Sequence, residues 1–238
     1  MSMILCIDTS TRVCSVALAE GKQMLALEES MGGREHAANL TVFIERILKE
    51  NRITTADLQA VAVSQGPGSY TGLRIGVSVS KGIAYGSDIP LIAVNTLQSM
   101  ALGILSHPAI ASFRNLDLQN TWFAPMIDAR RMEVYTAFFT RENKAMTKSS
   151  AIIVSAGTFN DVLDERKVVF FGDGAIKCKP HLRHPNALFI DTFTPSAQHM
   201  VPLAWKAYKE KSFVDTAYFE PYYLKDFIAT IPKKNVFR

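Results

Sequence analysis

The chain is poor in the residues that make several functions easy to assign. Its three cysteines, Cys6, Cys14 and Cys178, are odd in number and contain no Cys-x2-Cys pair, which argues against a disulfide framework and a cysteine-built zinc site. They read as small core residues in a reducing, cytoplasmic compartment. Only His181 and His184 of the five histidines stand close together, in a Pro-containing loop without a nearby acidic cluster. No uncharged apolar run approaches membrane-spanning length. Met1 to Thr9 is short for a signal peptide and carries Asp8, so none is expected. Charge is nearly balanced, with 26 Lys and Arg against 22 Asp and Glu. A chain that grips RNA alone usually shows a basic stripe, and none is visible. Lys225, Lys233, Lys234 and Arg238 make a small basic tail, read as a solvated end.

What is present is ordinary globular material. Hydrophobic residues reach 48% and charged residues 20%, enough to bury a core in one large domain or two small ones. Ile4–Asp8, Val13–Leu18 and Gln23–Glu29 read as three successive strands. The period then changes. Ala37, Leu40, Phe43, Ile44, Ile47 and Leu48 share a stripe, predicting an amphipathic helix over 35–50. Strand 60–64, helix 72–86, strand 91–94 and helix 96–106 follow. The second half repeats the order, with strands at 123–128, 133–139 and 151–154, a helix near 156–163, strands 168–172 and 187–190, and a helix at 196–211. Aligning Ile7-Asp8 with Ile127-Asp128 also superposes Ala17 on Ala137. Three strands followed by alternating helices and strands imply a mixed sheet covered by helices. Two such units predict an α/β chain of the duplicated actin/Hsp70/sugar-kinase (RNase H-like) architecture. The expected subdomains are 1–108, joined by 216–238, and 109–215.

The most informative stretch is Gln65-Gly66-Pro67-Gly68-Ser69-Tyr70-Thr71-Gly72-Leu73-Arg74-Ile75-Gly76, a turn that opens the 72–86 helix. Its glycines allow sharp turning and close approach, and helix amides there point as they would toward an anion. Both phosphate templates fail, however. A P-loop needs Lys-Ser/Thr after its second glycine, and the dinucleotide fingerprint needs Gly where Thr71 stands. The helix itself has two apolar faces, Gly72/Ile75/Gly76/Val79/Ile83 and Leu73/Val77/Ala84. A helix covering one sheet hides one face, so an excess predicts an interaction patch.

Ile4–Thr11, Gly66–Arg74, Ile127–Tyr135 and Glu220–Lys225 together resemble the bacterial TsaB (YeaZ) family, in order across nearly the whole chain. Arg is commoner in that family at the position of Lys225. The resemblance implies a cytoplasmic, non-catalytic homologue of the transferase TsaD, needed for threonylcarbamoyl transfer to adenosine 37 of tRNAs reading A-starting codons. It implies pairing with TsaD, recruitment of the ATPase TsaE, tRNA contact through the complex, and a homodimer when alone. ATP with Mg²⁺, and metal, would sit on partner subunits, with none bound tightly by this chain. The residues expected at the partner surface are His36, Leu40, Phe43, Ile47, Tyr70, Leu73, Arg74 and Val77.

TsaD-like proteins carry a His-x3-His metal pair on an early helix, and here His36 is followed one turn later by Leu40, so no metal site is expected. Asp8 ends a strand where this architecture faces nucleotide and Mg²⁺. It also fits a turn whose carboxylate accepts from the amides of Ser10 and Thr11, the reading placed first. Asp8, Ser10, Gly68, Ser69, Asp128 and Arg130 are the candidate remnants of a nucleotide cleft, with Asp173-Gly174 at a matching strand end. No Gly-x-Ser-x-Gly elbow exists. The rival functions are a stand-alone kinase or ATPase, a glycoprotease-like metalloenzyme, and a direct tRNA-binding module.

Overall fold

The computed structural model describes residues 2–32, 36–114 and 116–225. β1 (Met3–Asp8), β2 (Cys14–Glu20) and β3 (Gln23–Ser30) form an antiparallel meander. α1 (His36–Glu50), β4 (Ala60–Gly66), α2 (Tyr70–Gly86) and β5 (Leu91–Asn95) follow. β4 joins β1 in parallel and β5 joins β4 in parallel, giving the order β3-β2-β1-β4-β5. Parallel neighbours need long crossovers, which α1 and α2 supply.

The second half repeats this topology strand for strand. After α3 (Thr96–Gly103) come β6 (Trp122–Asp128), β7 (Glu133–Thr136), β8 (Ser150–Ile153), α4 (Asn160–Leu163), β9 (Val168–Phe171), α5 (Asp173–Cys178), β10 (Ala187–Ile190) and α6 (Val201–Lys209). The sheet order β8-β7-β6-β9-β10 matches the first sheet position by position. The duplicated α/β architecture is therefore present. Among the described residues no helix is long and apolar enough to cross a membrane.

Strand alternation divides each sheet between two cores. Leu5 and Ile7 of β1 face α1 and α2, whereas Ile4 and Cys6 face Ala197, Met200, Val201 and Ala204. On the second sheet Phe123, Ile127 and Phe171 pack with Leu97, Met100, Ala101 and Ile104, while Phe170 packs with Leu163, Ala175 and Cys178. Two helices thus cross over. α3 precedes residue 108 yet packs on the second sheet, and α6 precedes residue 215 yet packs on the first. The division expected at 108 and 215 cuts through both contacts, because burial of each sheet's second face decides where these helices go. The closing segment touches the first half: Val214 bridges to Leu91, and the amide of Tyr222 donates to Gln65 O at 2.7 Å. Lys225 then reaches Glu133 of the second half. Residues 226–238, with Lys233, Lys234 and Arg238, lie outside the described residues, as does Glu35 at the start of the expected first helix.

Several element ends differ from expectation for local reasons. The helix expected at 196–211 begins as a 3-10 turn, Ala197–Met200, and becomes α-helical with Pro202 in its first turn. The helix expected near 156–163 shrinks to Asn160–Leu163, because Gly157 and Phe159 have φ of 82° and 71°. The third helix ends at Gly103 and continues as a 3-10 turn. The strand expected to Phe139 stops at Thr136, and Phe139 bridges to Phe123 instead.

Candidate functional site

The carboxyl ends of β1 and β4 mark the switch point of the first sheet, where open α/β sheets hold ligands. Here the chain fills that crevice with itself. The turn after Asp8 lies on the start of α2: Ser69 N donates to Ser10 O at 2.6 Å and Thr9 Oγ1 donates to Gly72 O at 2.7 Å. A Cβ on Gly68 would stand 2.3 Å from Ser10 O, one on Gly72 2.1 Å from Thr9 O, and one on Gly76 2.3 Å from Thr9 Oγ1. The glycines exist for this close approach. A phosphate placed there would meet carbonyl oxygens, so the Gly66–Gly76 run does not fit a nucleotide's phosphates.

Asp8 is buried, and its Oδ1 accepts from Ser10 N at 2.9 Å, Ser10 Oγ at 2.6 Å and Ser64 Oγ at 2.8 Å. The turn reading expected the amide of Thr11 as a second donor. The hydroxyl of Ser64, on β4, takes that place among the described bonds. Thr11 instead presents its carbonyl to His36 Nε2 at 2.8 Å. His36 is thereby held against the β1–β2 turn, and Leu40, one turn later, is fully buried. This pair cannot chelate a metal ion. Among the described residues no group of three His, Cys, Asp or Glu side chains could hold one. His184 faces Asp164 at 3.2 Å. Burial pushes the thiol of Cys6 up to about 12 and that of Cys14 up to about 11, so both are poor nucleophiles.

The matching end of the second sheet is open and charged. Asp128 is exposed. Its Oδ1 accepts from Arg130 N at 2.8 Å and from Lys177 Nζ. Lys177 also donates to the carbonyls of Arg131 and Glu133, each at 2.7 Å. Asp173 Oδ1 accepts from Asp128 N at 2.9 Å. Loss of solvation pushes the Asp173 carboxyl up, while the backbone amides of Asp128 and Gly174 and, least, the charge of Arg12 pull it back. Arg12 belongs to the turn after β1, and its charge is felt at the second strand end. Arg130 and Arg131 hold φ of 70° and 49° and point outward at the hairpin tip. Sequence reasoning found Asp128, Arg130 and Asp173 but missed Lys177. The six-residue α5 that carries it is too short to show a period, and only Gly172 at φ 96° signals its start.

The packing buries most of the residues expected at a partner surface. Leu40, Phe43, Ile47 and Val77 are buried in the chain's own first core, and Leu73 and His36 are buried as well. The sheet takes the Leu73/Val77/Ala84 face of α2. Ile75, Val79 and Ile83, on its other apolar face, are only half-buried at the margin of that core, and Val42 of α1 is 48% exposed. Tyr70 and Arg74 do reach the surface, but the closing segment holds them. Arg74 lies 4.4 Å over the Tyr70 ring and hydrogen-bonds Tyr223, whose ring centroid is 4.8 Å from that of Tyr70. Lys81 Nζ donates to Ala217 O and Phe219 O. Residues 214–225 thus strap α2 and span both halves. Beside this strap a cleft of about 940 Å³ opens, a feature with no signal in the sequence.

A family profile described as "TsaD: tRNA N6-adenosine threonylcarbamoyltransferase" matches residues 25–233. The chain is 30% identical to the tRNA threonylcarbamoyladenosine biosynthesis protein TsaB of Escherichia coli K12, covering 95% of this chain and 96% of that protein. It is 28% identical to the TsaB of Haemophilus influenzae, covering 94% and 93%. Among solved structures, a Pseudomonas aeruginosa protein described as similar to peptidase YeaZ superposes with TM-score 0.77 at 25% identity, over 94% of this chain and 100% of that one. The Pseudomonas aeruginosa structure titled YeaZ superposes with TM-score 0.74 at 26% identity.

Proposed function

This chain belongs to the TsaB (YeaZ) family, and from that premise we propose that it is a non-catalytic subunit of tRNA threonylcarbamoyladenosine synthesis. It pairs with the transferase TsaD, recruits TsaE, acts in the cytoplasm, and meets tRNA through the assembly. Its own role is to present a surface, while ATP, Mg²⁺ and metal belong to the partner subunits. The observation that carries this reading is the closed state of the first sheet's switch point. Asp8 is enclosed by hydroxyls and an amide, His36 is bound to a carbonyl, and Leu40 stands buried where a second metal ligand would be needed.

The surface is assigned to the half-buried stripe Ile75, Val79 and Ile83 of α2 together with the exposed Val42 of α1. Apolar side chains at a core margin are covered when a second subunit docks. This stripe also serves the homodimer formed in the absence of TsaD. Mixing the chain with TsaD, TsaE, tRNA, ATP and threonylcarbamoyl-adenylate should yield threonylcarbamoyladenosine by mass spectrometry of digested tRNA. Product at the same level without this chain would refute the role. Val79→Arg should abolish co-elution with TsaD without lowering the melting temperature, whereas Val77→Arg, buried in the first core, should unfold the chain.

A further inference from the structure

Ligands of open α/β sheets sit outside the carboxyl ends of the strands, and in the first sheet that position is filled at β1 and open one strand further along. The cleft of about 940 Å³ lies at the ends of β4 and β5, lined by Gln65, Asn95 and Gln98 and by the rings of Phe139, Tyr222 and Tyr223. Gln65 engages Tyr222 only through its backbone carbonyl, and its side-chain amide has no hydrogen-bond partner among the described residues. Gln98 Nε2 reaches Asn143 O at 3.5 Å, the outer limit of a bond, which leaves its Oε1 as an acceptor. Tyr222 is 43% exposed.

Each alternative class of ligand meets an obstacle here. Among the described residues Lys148 is the one cation in the lining, which also holds the carboxylate of Glu220, so a polyphosphate would find no cluster of positive charge among them. Three carboxamides disfavour a purely apolar guest. An extended peptide would pair with a free strand edge, yet Val214 already bridges to Leu91 of β5 and Tyr222 N already binds Gln65 O. A flat ring with donors and acceptors side by side meets none of these obstacles. Carboxamides read such an edge in bidentate fashion, adenine best of all, and aromatic faces stack on bases.

We infer that this cleft binds an adenine base, stacked on Tyr222 and read by the carboxamides of Gln65 and Gln98. The choice between an unpaired base of RNA and a free adenine nucleoside rests on the reading of the chain as a tRNA-modification subunit. The geometry itself does not depend on that reading. The test is calorimetric titration of the full chain with adenosine, uridine, a single-stranded heptanucleotide RNA with a central adenosine, and its all-uridine counterpart. Adenine probes should saturate the protein more tightly than their uridine counterparts. Tyr222→Ala and Gln65→Leu should each weaken that binding about tenfold with an unchanged thermal melt, and Arg131→Ala, remote from the cleft, should leave it unaltered. A heptanucleotide bound more tightly than adenosine identifies RNA as the source, and the reverse identifies a free nucleoside. The inference falls if neither adenine probe saturates the folded chain, if both variants bind like the parent, or if a short peptide saturates the cleft while adenosine does not. Failure of tRNA modification with adenosine binding intact would remove the pathway reading alone. Modification without adenosine binding would remove this site alone.

Discussion

Asp8 and Asp128 end equivalent strands of two equivalent sheets, and their surroundings differ in almost every respect. Asp8 is buried among Ser10, Ser64 and the backbone of its own turn, which rests on the glycines of α2. Asp128 is exposed and pairs with Lys177 beside Asp173. One strand end has become a structural joint. The other keeps the charged character of a site. Duplication therefore preserved topology while the two halves diverged in what their strand ends do.

The contrast can be broken most sharply at the joint. Gly72→Ala puts a Cβ 2.1 Å from the carbonyl of Thr9 and should cost about 3 kcal/mol in urea denaturation. Gly82→Ala on the same helix meets no atom within 4 Å and should stabilise by about 1 kcal/mol. A similar gain at both positions would show that helix propensity, rather than packing on the turn, governs α2. Next in size, Asp8→Ala strands the hydroxyls of Ser10 and Ser64 and should cost about 2 kcal/mol. Asp128→Ala should cost less than about 1 kcal/mol, because Lys177 keeps two carbonyl acceptors. Equal losses would erase the distinction between joint and site.

The smallest effect is a pH dependence. Asp173 holds its proton in the folded chain above the ordinary value of 3.8, mainly through burial. Over that window the folded state binds more protons than the unfolded state, so stability falls as pH rises through it. Asp173→Asn keeps an acceptor for the amide of Asp128 and should flatten this slope in urea melts across the acidic range. An unchanged slope would reassign the titration to another carboxyl.

Much of this architecture was legible because it is periodic. Ile4–Asp8, Ala60–Ser64 and Leu91–Val94 are apolar runs bounded by turns, and the recurrence of their order at 123–128, 168–172 and 187–190 implied two repeated units. The glycine run declared a close approach but not to what, since its partner, Thr9-Ser10, is distant in sequence. The two apolar faces of α2 were visible as well. Which of them the sheet would claim was not, because both satisfy the same helical period. Leu40 and Leu73 were therefore assigned outward and lie inward. Lys177 and the cleft beside Tyr222 arise from contacts between remote segments, which leave no local pattern.

The crossing of α3 and α6 has a consequence for how the chain is made. Emerging from the ribosome amino end first, the first sheet has all five strands once Asn95 is out. One of its faces, lined by Ile4, Cys6, Ala17 and Ile92, stays bare until Ala197 to Ala204 arrive. More than a hundred residues of synthesis separate the sheet from its cover. A nascent chain in this state exposes apolar sheet surface of the kind that aggregates or draws chaperones, and α6 is the element that covers it.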